Sequence, residues 1–175
     1  MTTTMTRRPK AEEHDPYYTK YIVRVPDGDI ATVLGEQMQE TIALLRAVGP
    51  DREDFAYAPG KWTIKEVVGH ICDTERVMGL RALWFARNDP ASLPGFDENS
   101  WVPNGNFGAR TLADLIEELE AVRAVTVNFA KHLDEATLSR HGTANGQGVS
   151  VRALLYIIAG HERHHVALLR ERYQV

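Results

Sequence analysis

Near the C-terminus of this 175-residue chain, the stretch GHERHH sets His161, Glu162, Arg163, His164 and His165 in the spacing H-E-x-x-H. In zinc proteases this spacing supplies two metal ligands and a general base. On a helix each residue advances by about 100°, so His161 and His165 stand about 40° apart and can reach one ion. Leu154, Ile158 and Leu168 fall in the same sector. Both imidazoles therefore project from an apolar stripe rather than from a solvated face. His164 lies about 60° to the other side of His161, which keeps an i, i+3 pair of those two as a second arrangement. A protease of this type takes its third ligand from further along the chain. Only VALLRERYQV follows His165, and Glu171 is on nearly the opposite side of the helix. The third ligand must come from upstream, and peptidase action loses its support. Glu162 points about 100° away from His161, a position better suited to an ion pair than to a catalytic base.

His70 is the upstream candidate. It shares a helical sector with Val67, Thr74, Val77 and Trp84, so it also looks inward. Helical bundles build metal sites in this way, from side chains on facing helices. Three neutral histidines leave a cation its full charge and an open position, which suits catalysis better than structure. That position could take water or a substrate thiolate. Without a metal, three clustered imidazoles need other polar partners or are costly to bury. Asp73 and Glu66 are placed where either could orient a ligand ring by accepting its second proton; an ordinary ion pair is the competing role for both. Cys72 lies about 160° around the helix from His70 and reads as a packing residue. His14, His132 and His141 fall in tail or helix-end contexts, with no chemistry assigned.

Helices must hold these residues. Ile30, Leu34, Met38, Ile42 and Leu45 recur at helical spacing until Gly49-Pro50 ends the pattern. Thr63 with Glu66 forms a capping box, and Trp62 with Val67 a hydrophobic staple, for a helix running to about Arg87. The segment 88–110 is rich in Pro, Gly, Asn and Ser and lacks periodicity. Connections of that length are usually functional or crossover segments, and Phe96, Asp97 and Trp101 within it are candidates for a substrate mouth. A third helix starts at Thr111 and carries Leu112, Leu115, Ile116, Leu119, Val122 and Phe129 on one face. Asn145-Gly146 signals a tight turn, and Ser150 caps the last helix. The expected fold is all-α, a four-helix bundle with a long connection between helices 2 and 3. Residues 1–16 are expected to form a disordered or extended tail before a single domain over 17–175.

Composition sets the limits of function. A net charge of −4 and a pI near 6.0 offer no electrostatic footprint for nucleic acid or anionic membrane. No apolar run is long enough to span a bilayer, and the polar start lacks a secretory signal's apolar core. The lone cysteine excludes an internal disulfide and fits a reducing cytoplasm.

KWTIKEVVGHICDTERVMGLRALWFARND, LPGFDENSWV and VRALLYIIAGHERHHVALLRERY resemble the DinB/YfiT-like metalloenzyme family over about Tyr17 to Tyr173. The resemblance implies a four-helix bundle with a long second connection. It also implies a divalent metal held by His70, His161 and His165, with zinc or nickel foremost and iron or manganese as further options. Relatives of known activity are thiol-dependent S-transferases or isomerases, and dimers are frequent. The expectation for this chain is a cytoplasmic, homodimeric thiol transferase that uses a low-molecular-weight thiol and an electrophile. A metal-dependent hydrolase and a non-catalytic metal-binding domain are the alternatives.

Overall fold

The computed structural model describes residues 6–175. A single helical turn, α1 (Thr19–Ile22), precedes the first long helix, α2 (Ile30–Arg46), which is capped by the Asp29 carboxylate accepting from the Thr32 amide at 2.9 Å. The second long helix, α3 (Ile64–Ala86), starts on the expected capping box. The Thr63 hydroxyl accepts from the Glu66 amide at 3.2 Å, and the Glu66 carboxylate accepts from the Thr63 amide at 2.7 Å. A short helix, α4 (Glu98–Asn104), and a 3-10 turn at Phe107–Ala109 break up the long connection that sequence alone left without structure. Then come α5 (Leu112–Ala130), the turn α6 (Glu135–Leu138) and the final helix α7 (Val151–Arg172), capped by Ser150.

The four long helices α2, α3, α5 and α7 make the expected bundle. α3 packs against α5 and α7, and α2 packs against the same two. α2 and α3, consecutive in sequence, therefore face each other across a diagonal. A hairpin interrupts the helical pattern, with β1 (His141–Ala144) antiparallel to β2 (Gln147–Ser150). Asn145 and Gly146 turn it with φ of 53° and 73°, the paired positive values of a type I′ turn. The loop after α3 is tied to this hairpin, Leu93 donating to the Thr143 carbonyl at 2.9 Å and accepting from the Asn145 amide at 3.0 Å.

Residues 6–16, read from sequence as part of a tail, pack on the bundle. The buried Glu13 carboxylate accepts from Ser150 Oγ at 2.9 Å and from Arg152 at 2.8 Å. Arg8 donates to the Ile22 and Val25 carbonyls, at 2.7 Å each. Residues 1–5 of that expected tail lie outside the described residues. Among the described residues, no helix is long and apolar enough to cross a membrane.

The interior consists of two apolar clusters. One is built around Leu34, Met78, Phe85, Leu154 and Ile158, the other around Leu45, Ile71, Leu115, Leu119 and Leu169. Along each long helix a buried polar residue separates them: Gln37 on α2, Glu75 on α3, Arg123 on α5 and Glu162 on α7. His70 lies five residues before this level on α3, and His161 and His165 flank it on α7.

Gly160 controls how closely α1 approaches it. A Cβ at this position would collide with the Tyr21 carbonyl oxygen, and the Tyr21 ring lies 5.4 Å from the His161 ring and 5.5 Å from the His164 ring. Alanine is the better helix former by about 1 kcal/mol. Even so, Gly160→Ala should destabilise the protein by about 1–3 kcal/mol, because neighbouring backbone must move to admit the methyl group. A thermal melt should show a fall of roughly 2–12 °C. An unchanged or higher melting temperature would contradict this packing.

Candidate metal centre

The three expected histidines meet. His161 Nε2 lies 3.0 Å from His70 Nε2 and 3.1 Å from His165 Nε2, and all three ring nitrogens are within 4.8 Å of one another. The i, i+4 reading is therefore the one that brings rings together. His164 is half-buried and lines the adjoining cavity, but its ring nitrogens are not part of the cluster. Two helices supply the site: α3 offers His70 two turns after its capping box, and α7 offers His161 and His165 one turn apart.

The donor set fits a divalent cation. At Zn–N distances of about 2.0–2.1 Å, tetrahedral ligands stand about 3.3 Å apart, so the two separations of 3.0–3.1 Å need to open by a few tenths of an ångström, and the His70–His165 pair, within 4.8 Å, needs to settle to the same spacing. Burial holds the His70 imidazole down to about 4. The His161 and His165 rings are pushed well below the usual histidine range, first by burial and then by the neighbouring rings. All three are thus neutral at pH 7, with lone pairs free to coordinate. Among the described residues, His165 Nδ1 is buried without a hydrogen-bond partner. A cluster this deep, with so little protein hydrogen bonding, is the costly arrangement that a cation would relieve.

Neither carboxylate suggested as an orienting partner performs that role. Glu66 is occupied by the Thr63 amide at the start of α3, and Asp73 lies 3.8 Å from Arg76. Aromatic rings surround the imidazoles instead: Trp62 is 4.8 Å from His70 and 6.5 Å from His165. Glu162, the would-be protease base, is buried and turned away, accepting from Arg123 Nη2 at 2.6 Å and from the Gln37 amide. Cys72 is fully buried in the second apolar cluster, where burial raises its thiol far above the ordinary range. It is a packing residue.

Beside the histidines opens a cavity of about 440 Å³. Of the three mouth candidates only Phe96 lines it. Asp97 caps α4, accepting from the Asn99 amide at 3.0 Å, and Trp101 packs on Phe96 at 5.0 Å with 43% of its surface exposed. Sequence reasoning missed Tyr18, Tyr21, Trp62 and Arg81 as cavity walls. Trp62 carried one usable signal, its place just before a helix cap.

Several known proteins share this architecture. The family model for the DinB superfamily matches residues 7–169. A protein of Oceanobacillus iheyensis is 27% identical over 116 residues, covering 65% of this chain and 66% of that protein. Another, from Geobacillus kaustophilus, is 25% identical over 154 residues, covering 78% and 85%. Both are provisionally named metal-dependent hydrolases. Bacillus subtilis YfiT, described as a probable metal-dependent hydrolase with an unusual four-helix bundle topology, superposes with a TM-score of 0.69 at 15% identity, over 96% of this chain and 92% of its own. A mycothiol-dependent maleylpyruvate isomerase superposes with a TM-score of 0.61 at 15% identity, over 78% and 58% of the two chains. At such identities these structures speak for the fold. The family match, by contrast, runs through all four long helices and all three clustered histidines, and the chain belongs to the DinB superfamily.

Proposed function

We propose that this protein is a divalent-metal-dependent S-transferase that joins a low-molecular-weight thiol to a small electrophile. The observation that carries the reading is the convergence of three neutral imidazole nitrogens beside a cavity of about 440 Å³. A zinc or nickel ion bound by His70, His161 and His165 would supply positive charge that favours thiolate over thiol at neutral pH. The chain's own residues supply the rest. Trp62 and Tyr21 wall the imidazoles from bulk water, and the cavity brings two small molecules together, which converts a bimolecular encounter into a local one. The reacting sulfur must come from outside, because Cys72 is buried on another face of α3. The mycothiol dependence of one structural neighbour supports a thiol as co-substrate.

Hydrolysis is the second reading, favoured by the names of the relatives. Against it stands Glu162, the carboxylate that H-E-x-x-H spacing would offer as base, which is committed to Arg123.

The test is thiol consumption by zinc- or nickel-loaded protein. Bacillithiol, mycothiol, glutathione and cysteine are each supplied with monochlorobimane as the electrophile. Metal-dependent formation of the thioether with at least one thiol is the expected outcome. Turnover of ester or amide substrates without thiol, and no thioether with any of the four, would replace this reading with hydrolysis.

A further inference from the structure

The described arginines with the least exposed side chains divide into two kinds. Arg123 and Arg152 are fully buried, and each is paired with two carboxylates, Glu75 and Glu162 for the first and Glu13 and Glu135 for the second. Arg81 is 4% exposed and, among the described residues, has no carboxylate partner. Its Nη2 donates to the Pro94 carbonyl at 2.6 Å, and its Nη1 to the Met78 sulfur at 3.5 Å. The phenol of Tyr18 is within hydrogen-bonding reach of the guanidinium, and the Phe96 ring centre is 6.0 Å from its Cζ. A guanidinium carries five N–H donors in a planar fork matched to carboxylate oxygens. Here the Pro94 carbonyl, the Met78 sulfur and the Tyr18 phenol engage part of that fork, no carboxylate takes the rest, and the side chain lines the cavity.

The position is as telling as the missing partner. His70 and Arg81 are eleven residues apart on α3, which places them about 20° apart around the helix and about 16 Å apart along it. His70, Thr74, Met78 and Arg81 all line the cavity. One wall therefore runs from the three-histidine cluster to an uncompensated cation. The two carboxylates on the cavity, Asp15 and Glu98, do not neutralise it, and Asp15 is held by the Tyr17 amide at 2.7 Å. A buried arginine without a counter-ion is costly, and it is best explained by an anion that arrives with a ligand.

We propose that Arg81 determines specificity by receiving a carboxylate of the small molecule whose reacting end lies at the three histidines. This rests on the reading of that cluster as the reaction centre, and it adds a substrate class, an elongated molecule with an anionic end. The carboxylate can belong to the thiol or to the electrophile, since both enter the same cavity.

The test uses the full-length ¹⁵N-labelled protein and follows arginine Nε–Hε resonances, with that of Arg81 assigned by its loss in Arg81→Gln. Acetate, succinate, glutathione and glutathione diethyl ester are titrated at constant ionic strength set with chloride. Saturable movement of the Arg81 resonance by at least one of the free carboxylates, while the carboxylate-paired Arg123 and Arg152 stay still, is the expected result. Binding followed by tryptophan fluorescence should weaken at least tenfold in Arg81→Gln and less in Arg81→Lys, which keeps the charge but loses the fork. Glutathione acting where succinate and the diester do not assigns the carboxylate to the thiol; succinate acting alone assigns it to the electrophile. An Arg81 resonance unmoved by every carboxylate at tens of millimolar overturns the proposal, as does equal binding by wild type and Arg81→Gln. Metal content, measured in parallel, separates the two readings. Stoichiometric metal without carboxylate binding sinks this inference alone, whereas carboxylate binding by a protein that takes up no metal leaves Arg81 standing and removes the metal-centred reading.

Discussion

Alanine at position 161 should leave the purified protein without stoichiometric divalent metal, and His70→Ala should do the same. His161 is the middle of the cluster, the ring whose Nε2 is within 3.1 Å of both others. Its loss leaves two imidazoles on opposite helices and no shared donor between them. Perturbing only the groups that orient a ligand typically costs about 10–100-fold in affinity, so removing a ligand outright should cost more. The consequence extends to stability, because a ligand at a thousand times its Kd stabilises the folded state by about 4 kcal/mol. Wild-type protein should therefore melt at a markedly higher temperature with zinc or nickel than with a chelator, and His161→Ala should melt alike in both. Elemental analysis and paired melts decide the matter. Full metal occupancy in both alanine variants would sink the three-histidine centre.

The three-histidine cluster was legible in the sequence because its parts are local. An i, i+4 pair on an apolar stripe needs only helical geometry, and His70 needed only a sector shared with Val67 and Thr74. The caps at Thr63, Thr111 and Ser150 were legible for the same reason, since each closes a hydrogen bond three residues away. Features fixed by distant pairing were not. Glu13 is buried through Ser150 and Arg152, partners from the far end of the chain, so nothing in its surroundings marks residues 6–16 as packed. Arg81 lies in an ordinary amphipathic helix, and its isolation shows only once the carboxylates on the same cavity, Asp15 and Glu98, are seen not to pair with it. Asp73 and Glu66 illustrate the opposite error. Their sector allowed contact with a ligand ring, yet Glu66 was already committed to the cap that sequence had also identified, and Asp73 lies beside Arg76.

The second large effect expected is at Arg123, and it also tests what Glu162 does. The Arg123 guanidinium is fully buried and grips Glu75 with two bonds of 2.8 Å, Glu162 at 2.6 Å and the Leu34 carbonyl at 3.0 Å. Burial works against its charge, but Glu162 and Glu75 outweigh that and hold it above the ordinary arginine range. Such a network need not be more stabilising than a well-packed apolar one, because desolvating three charges offsets much of their attraction. Removing one member is different. Arg123→Met strands two carboxylates between the two apolar clusters, and loss of about 3–5 kcal/mol is expected, a fall of roughly 6–20 °C in melting temperature. Replacing all three charges at once, with Glu75→Leu and Glu162→Leu added, should recover part of that loss. The metal separates structure from chemistry. Glu162→Gln keeps the shape of the side chain and should retain stoichiometric metal, because Glu162 faces Arg123 and Gln37 and not the imidazoles. If Arg123→Met melted like wild type, the polar layer would not be holding the helices at the level of the histidines. If Glu162→Gln lost its metal while still folding, the carboxylate between His161 and His165 would belong to the centre after all.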